Sequence, residues 1–209
     1  VEFYAELARA VTVVFSSLLF LYLFLPLSLL CYFACRGMEG KNWILLLFSL
    51  FFYSWGEPVY VLLLIFSAGV NYGSGRLMGR CAGSREKKTV MILTVLVDLG
   101  ILAVFKYAGF AVESVNHLLG TSLPVPSITM PIGISFYTFQ ALSYAVDVYR
   151  GQVKVQKSFR DFLLYVALFP QLIAGPIVRY SEIEPQLHSR TSSWEGIFYG
   201  MTRFCIGLG

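Results

Sequence analysis

Charge is the first thing this chain lacks. Asp, Glu, Lys and Arg make up 13% of its 209 residues, about half the share of a soluble domain. The deficit runs along the whole length, which excludes an ordinary soluble globular domain and leaves an integral membrane protein. Histidine is scarcer still, with only His117 and His188. No second His, Cys or carboxylate stands at ligand spacing beside either, so no metal site is expected. The four cysteines, Cys31, Cys35, Cys81 and Cys205, show neither zinc nor redox spacing and read as small apolar packing residues. No cleavable leader is expected either. The first strong apolar run, 13–34, has the length of a membrane span, only Arg9 ahead of it and no small-residue cleavage site behind it. No internal repeat and no low-complexity segment stands out. No basic stripe with interleaved aromatics appears on a polar background, which excludes a nucleic-acid interface.

What is present is apolar and aromatic. Hydrophobic residues reach 57%, with 18 Phe, 13 Tyr and 3 Trp, a density that suits interface belts and packed helical bundles. The net charge of +4 comes from Lys and Arg clusters that fall between apolar runs. Residues 1–13 read as an amino-terminal extension or an interfacial segment. The run 13–34, with Pro26 inside it, is the first candidate span. Trp43–Trp55 and Val59–Gly75 read as the two arms of a hairpin that turns at Gly56–Glu57–Pro58. Arg76, Arg80, Arg85, Lys87 and Lys88 form the densest basic loop. Thr89–Phe110 crosses back, carrying Asp98, for which a structural ion pair is expected, and Lys106. The connection 111–129 has no Lys or Arg. Met130–Tyr149 crosses again, and Arg150, Lys154, Lys157 and Arg160 mark a second basic loop. Basic loops stay in the cytoplasm, so the alternation is self-consistent. Phe162–Pro176 is short for a span, with two prolines and a glycine, and is expected to enter the membrane and turn back. Arg179–Arg190 is polar, and a further helix starts at Trp194. The fold class expected is all-α: a polytopic transmembrane bundle of about six embedded segments and a partial seventh, with broken or re-entrant helices.

Several of these stretches resemble a known family. FFYSWGEPVYVLLL (51–64), FKYAGF (105–110), GISFYTFQALSYAVDVYRG (133–151), FPQLIAGPIVRY (169–180) and FCIGLG (204–209), together with VFSSLLFLYLFLPL (14–27), are similar to bacterial membrane-bound O-acyltransferases of the alginate O-acetylation type, in that family's order. The resemblance runs from residue 14 to residue 209. It implies that 14–209 is the amino-terminal part of a single multi-pass domain in the bacterial cytoplasmic (inner) membrane. It implies transfer of an acyl group, expected to be acetyl, from a cytoplasmic thioester such as acetyl-CoA towards an extracytoplasmic polysaccharide or cell-wall sugar. An extracytoplasmic acyltransferase partner often completes such transfers. The family's catalytic histidine is expected beyond Gly209. Neither His117 nor His188 sits in a matching motif, so the segment by itself is expected to be inactive. Alternatives of another class are a transporter or channel-like subunit and a non-catalytic assembly partner.

The candidate site follows from polar groups placed where lipid would not tolerate them. Gln140 and Asp147 are seven apart and share a helical face with Tyr137 and Tyr144. They either line a donor tunnel or bond between helices. Arg150 follows and either joins that strip or pairs with Asp147 at i, i+3. Gln171, Gly175 and Pro176, in the broken segment with Pro170, offer free backbone groups. Arg179 stands just past the break, positioned to meet the phosphates of a nucleotide-like donor or to anchor at headgroups.

Overall fold

The computed structural model describes residues 17–122, 124–126, 128–172 and 178–208. Among them every regular element is a helix: α1 (Phe20–Phe24, π-helical), α2 (Leu25–Ala34), α3 (Met38–Gly56), α4 (Val61–Arg80), α5 (Ser84–Leu119), α6 (Ile134–Tyr149), α7 (Phe159–Ala167), α8 (Phe169–Leu172), α9 (Tyr180–His188) and α10 (Trp194–Leu208). The expected extension 1–13 lies outside the described residues. The chain meets Pro26 with a π turn instead of a break: the Leu25 N–H reaches back to the Phe20 carbonyl, a register that accommodates the ring.

Two helices, Val61–Arg80 and Ser84–Leu119, are long and apolar enough to cross a membrane. α5 buries little of itself, and Leu93, Leu96, Val104 and Phe110 all stand exposed. An apolar helix bare on this scale has lipid as its solvent, so the chain is a membrane protein with an all-α fold.

Hydrogen bonds and close contacts fix the direction of each helix. The Tyr60 hydroxyl donates to the Thr129 carbonyl (2.9 Å) and the Tyr53 hydroxyl to the Ile132 carbonyl (3.1 Å). The turn between α3 and α4 therefore lies beside the start of α6. At the other end the Tyr72 hydroxyl donates to the Lys157 carbonyl (2.7 Å), and a Cβ on Gly79 would touch the Val155 side chain (2.9 Å). Hence α4 and α6 run in one direction, and α3 and α5 in the other. The basic residues of 36–41, 76–88 and 150–160 gather at one end, and the link 120–133 at the opposite end has no Lys or Arg.

Three expectations change. The basic stretch 76–88 is not a loop: Arg76 and Arg80 lie in α4, Arg85, Lys87 and Lys88 in α5, and only 81–83 stay outside helix. The Ala111–Thr129 connection is helical as far as Leu119, because nothing breaks the helix before Gly120, which ends it at φ +61° as left-handed glycines do. At about 54 Å by helical rise, α5 therefore projects beyond a hydrocarbon core of about 30 Å. Asp98, finally, makes no ion pair among the described residues. Its carboxylate accepts from the amide of Asn71 on α4.

The core has two parts. Phe20, Phe24, Phe52 and Phe169 form an aromatic cluster, with Phe169 edge-on to Phe24 at 5.4 Å. The larger part joins α3, α4, α6, α7 and α9 around Tyr137, Tyr144, Phe162, Tyr165 and Tyr180, each essentially without exposure.

Candidate functional site

The re-entrant segment begins at a helix cap. Ser158 stands in extended conformation, and its hydroxyl accepts from the Asp161 N–H (3.3 Å), as N-caps do. α7 then runs inward from the basic end. It stops at Leu168 because Pro170 offers no N–H to the Val166 carbonyl and its ring clashes there. The break frees two groups that a continuous helix would have paired, the Tyr165 carbonyl and the Phe169 N–H. Gln140 Nε2 donates to the first (2.8 Å), and Ser49 Oγ accepts from the second (3.2 Å). Leu172 reaches the start of α6, where a Cβ on Gly133 would lie 2.8 Å from its carbonyl oxygen. By Tyr180 the chain is back towards the basic end, its ring edge-to-face with Tyr144 (4.9 Å) and Tyr165 (5.2 Å). The segment thus stands at the start of α6 by Leu172 and beside Tyr144 again at Tyr180. Gly175 and Pro176 lie outside the described residues.

Gln140 connects the two sides of this segment. Its Nε2 also lies 3.3 Å from Gln171 Oε1, while the Tyr165 hydroxyl donates to the Val178 carbonyl (2.9 Å). One level lower, the Tyr144 hydroxyl accepts from the Gln156 N–H (2.9 Å), and Gln156 Nε2 donates to the Tyr180 hydroxyl (2.7 Å). Tyr137, Gln140, Tyr144 and Asp147 are all buried on the same face of α6, as their spacing predicts. Among the described residues Asp147 and Arg150 form no ion pair. Arg150 and Arg179 are both exposed, Arg179 at the N-cap of α9.

The basic end carries a second polar cluster that sequence reading missed. Asn42 Nδ2 donates to the Leu187 carbonyl (3.0 Å) and to Asp161 Oδ1 (3.4 Å), and its Oδ1 accepts from Arg190. Asp161 is held by Arg160 at 2.9 Å. A cavity of about 520 Å³ opens beside Asn42, Asp161 and His188, and one of about 380 Å³ beside Lys154, Lys157 and His188. An apolar cavity of about 420 Å³ reaches the helix break at Phe169 and Pro170. Outside the spans, burial at the α3–α4 turn pushes the Glu57 carboxyl above its ordinary range, against a hydrogen bond with the Ile132 backbone that pulls it down.

The chain is 41% identical over 93% of its length to "Probable alginate O-acetylase AlgI" of Pseudomonas aeruginosa, of which it covers 38%. It is 40% identical, over the same shares, to the protein of that name in Pseudomonas syringae pv. tomato. Over the residues it covers, the chain is similar to these alginate O-acetylases. A "Peptidoglycan O-acetyltransferase" of Helicobacter pylori is 29% identical over 97% of the chain, which covers 44% of it. The chain thus spans about two fifths of the length of the curated relatives it matches. No family profile matches it, and no solved structure does.

Proposed function

We propose that this chain is the donor-side part of a membrane-bound O-acetyltransferase. The match to alginate and peptidoglycan O-acetylating relatives over more than nine tenths of the chain carries that reading. The protein lies multi-pass in the cytoplasmic membrane with its basic end in the cytoplasm. Acetyl leaves a cytoplasmic thioester, acetyl-CoA or a relative of it, and goes towards a surface polysaccharide or cell-wall sugar. An extracytoplasmic partner completes the transfer.

The chemistry needs a base, and a histidine outside this chain supplies it. It takes the proton of an acceptor hydroxyl, the oxygen attacks the thioester carbonyl, and the thiolate leaves. The residues described here position the donor. Arg179 and Arg150 stand at the cytoplasmic mouth, where guanidinium groups suit phosphate. Tyr137, Gln140, Tyr144 and Asp147 on α6, with Gln171 opposite, form the seam along which the acetyl end enters. Gln140 holds the helix break open to ligand by taking up the Tyr165 carbonyl.

The test is labelled acetyl transfer by the full-length protein in membrane vesicles. Gln140→Ala and Arg179→Ala each lower the rate by at least about tenfold, since ångström misplacement alone costs on the order of a hundredfold. Unchanged rates in both would remove these residues from the path.

A further inference from the structure

Asp98 has no part in that path, and its setting is unusual. It sits in the apolar stretch of α5 with no exposed surface. Its two oxygens accept from one neutral donor, Asn71 Nδ2, at 3.1 and 2.9 Å, and that amide also donates to the Ser67 carbonyl (3.1 Å). A carboxylate at membrane depth is tolerated only when something balances its charge. The titratable and charged groups on the packed elements do not. Arg76 and Arg80 stand at the basic end of α4. Lys106 is two turns away on α5, above the Tyr107 ring. Tyr137, Tyr144 and Asp147 on α6 bring no positive charge. None of them pairs with Asp98 among the described residues.

Unpartnered oxygens stand on the two helices packed against α5. Asn71 Oδ1 and Ser67 Oγ, one turn apart on α4, are both buried without a hydrogen-bond partner, and so is Thr138 Oγ1 on α6. A Cβ on Gly75 would touch the Tyr144 ring (2.8 Å), which sets the register of the co-directional α4 and α6. Counted back from that contact, Asn71 lies about 6 Å up, Thr138 about 9 Å and Ser67 about 12 Å. Buried, unpartnered oxygens on the helix that meets a carboxylate with no cationic partner are a set that suits a hard cation.

We propose that Asp98, Asn71 and Ser67 form a binding site for a small monovalent cation, a proton or a sodium ion, between α4 and α5. The site is independent of the acetyl-transfer reading. The ion balances the carboxylate and couples the packing of the two helices to the ionic conditions.

The experiment is thermal unfolding of the detergent-purified protein and of Asp98→Asn. Sodium chloride is compared with choline chloride at equal ionic strength, at mildly acidic and mildly alkaline pH. A bound sodium ion raises the wild-type Tm by about 5 °C or more at saturation and leaves Asp98→Asn unmoved. A bound proton gives no sodium effect; instead the wild-type Tm falls as pH rises, and the Asp98→Asn Tm stays flat. Ser67→Ala keeps the carboxylate and decides the matter should Asp98→Asn fail to fold, by moving the midpoint of that dependence several-fold. Wild-type Tm insensitive to both ions, a dependence shared by Asp98→Asn, or a midpoint unmoved by Ser67→Ala overturns the proposal.

Discussion

Gly133 and Tyr165 show how single residues set the re-entrant segment against α6. Gly133 adopts φ +77°, a conformation that costs any side-chain-bearing residue about 1–2 kcal/mol, and the Leu172 carbonyl fills the space of its missing Cβ. Gly133→Ala is therefore expected to lower the Tm in detergent by several degrees, at about 2–4 °C per kcal/mol for a chain of this size. Tyr165 bonds on both sides of the turn, receiving Gln140 at its carbonyl and reaching Val178 with its hydroxyl. Tyr165→Phe keeps the ring and the carbonyl and loses what the hydroxyl donates, to the Val178 carbonyl and, at 3.3 Å, to the Gln140 carbonyl. Its stability cost is about 1 kcal/mol, and its effect on acetyl transfer is expected to exceed the effect on Tm.

At the scale of elements, the break between α7 and α8 is a unit: Pro170 creates it, and Gln140 and Ser49 satisfy the two backbone groups it frees. Ser49→Ala would leave the Phe169 N–H buried without a partner. The expected cost is about 1–3 kcal/mol, read as a shift in the unfolding midpoint. Combined with Gln140→Ala, the loss should be less than additive, because both act on one break. Much of this unit was legible beforehand. The spacing of Tyr137, Gln140, Tyr144 and Asp147 put them on one face, and the two prolines announced the break. Ser49 was not legible, since its partner lies 120 residues on and a serine in an apolar run carries no mark of a distant role. Asn42 and Asp161 escaped for the same reason. Asp98 announced a partner from another helix, but a carboxylate in sequence does not say whether an ammonium or an amide meets it. The ends of α5 were misjudged because charged residues were taken as loop, whereas only Gly83 and Gly120 bound the helix.

For the whole molecule, the gathering of cations at one end makes orientation testable. Cys35 and Cys81 lie in links at the basic end, and Thr121 follows α5 at the other. A membrane-impermeant thiol reagent added to spheroplasts should leave Cys35 and Cys81 unlabelled and should label Thr121→Cys. The reverse pattern would invert the topology.

On the proposed donor path, the acetyl group reaches the α6 seam against the broken helix from the cytoplasmic side. Inside-out vesicles holding the full-length protein, supplied with labelled acetyl-CoA and acceptor sugar, test it most directly. Transfer is expected to fall at least about tenfold in Gln140→Ala and in Tyr165→Phe, at protein levels matching wild type. Transfer at wild-type rates in both variants, or label delivered only when the donor is offered from the other face, would contradict it.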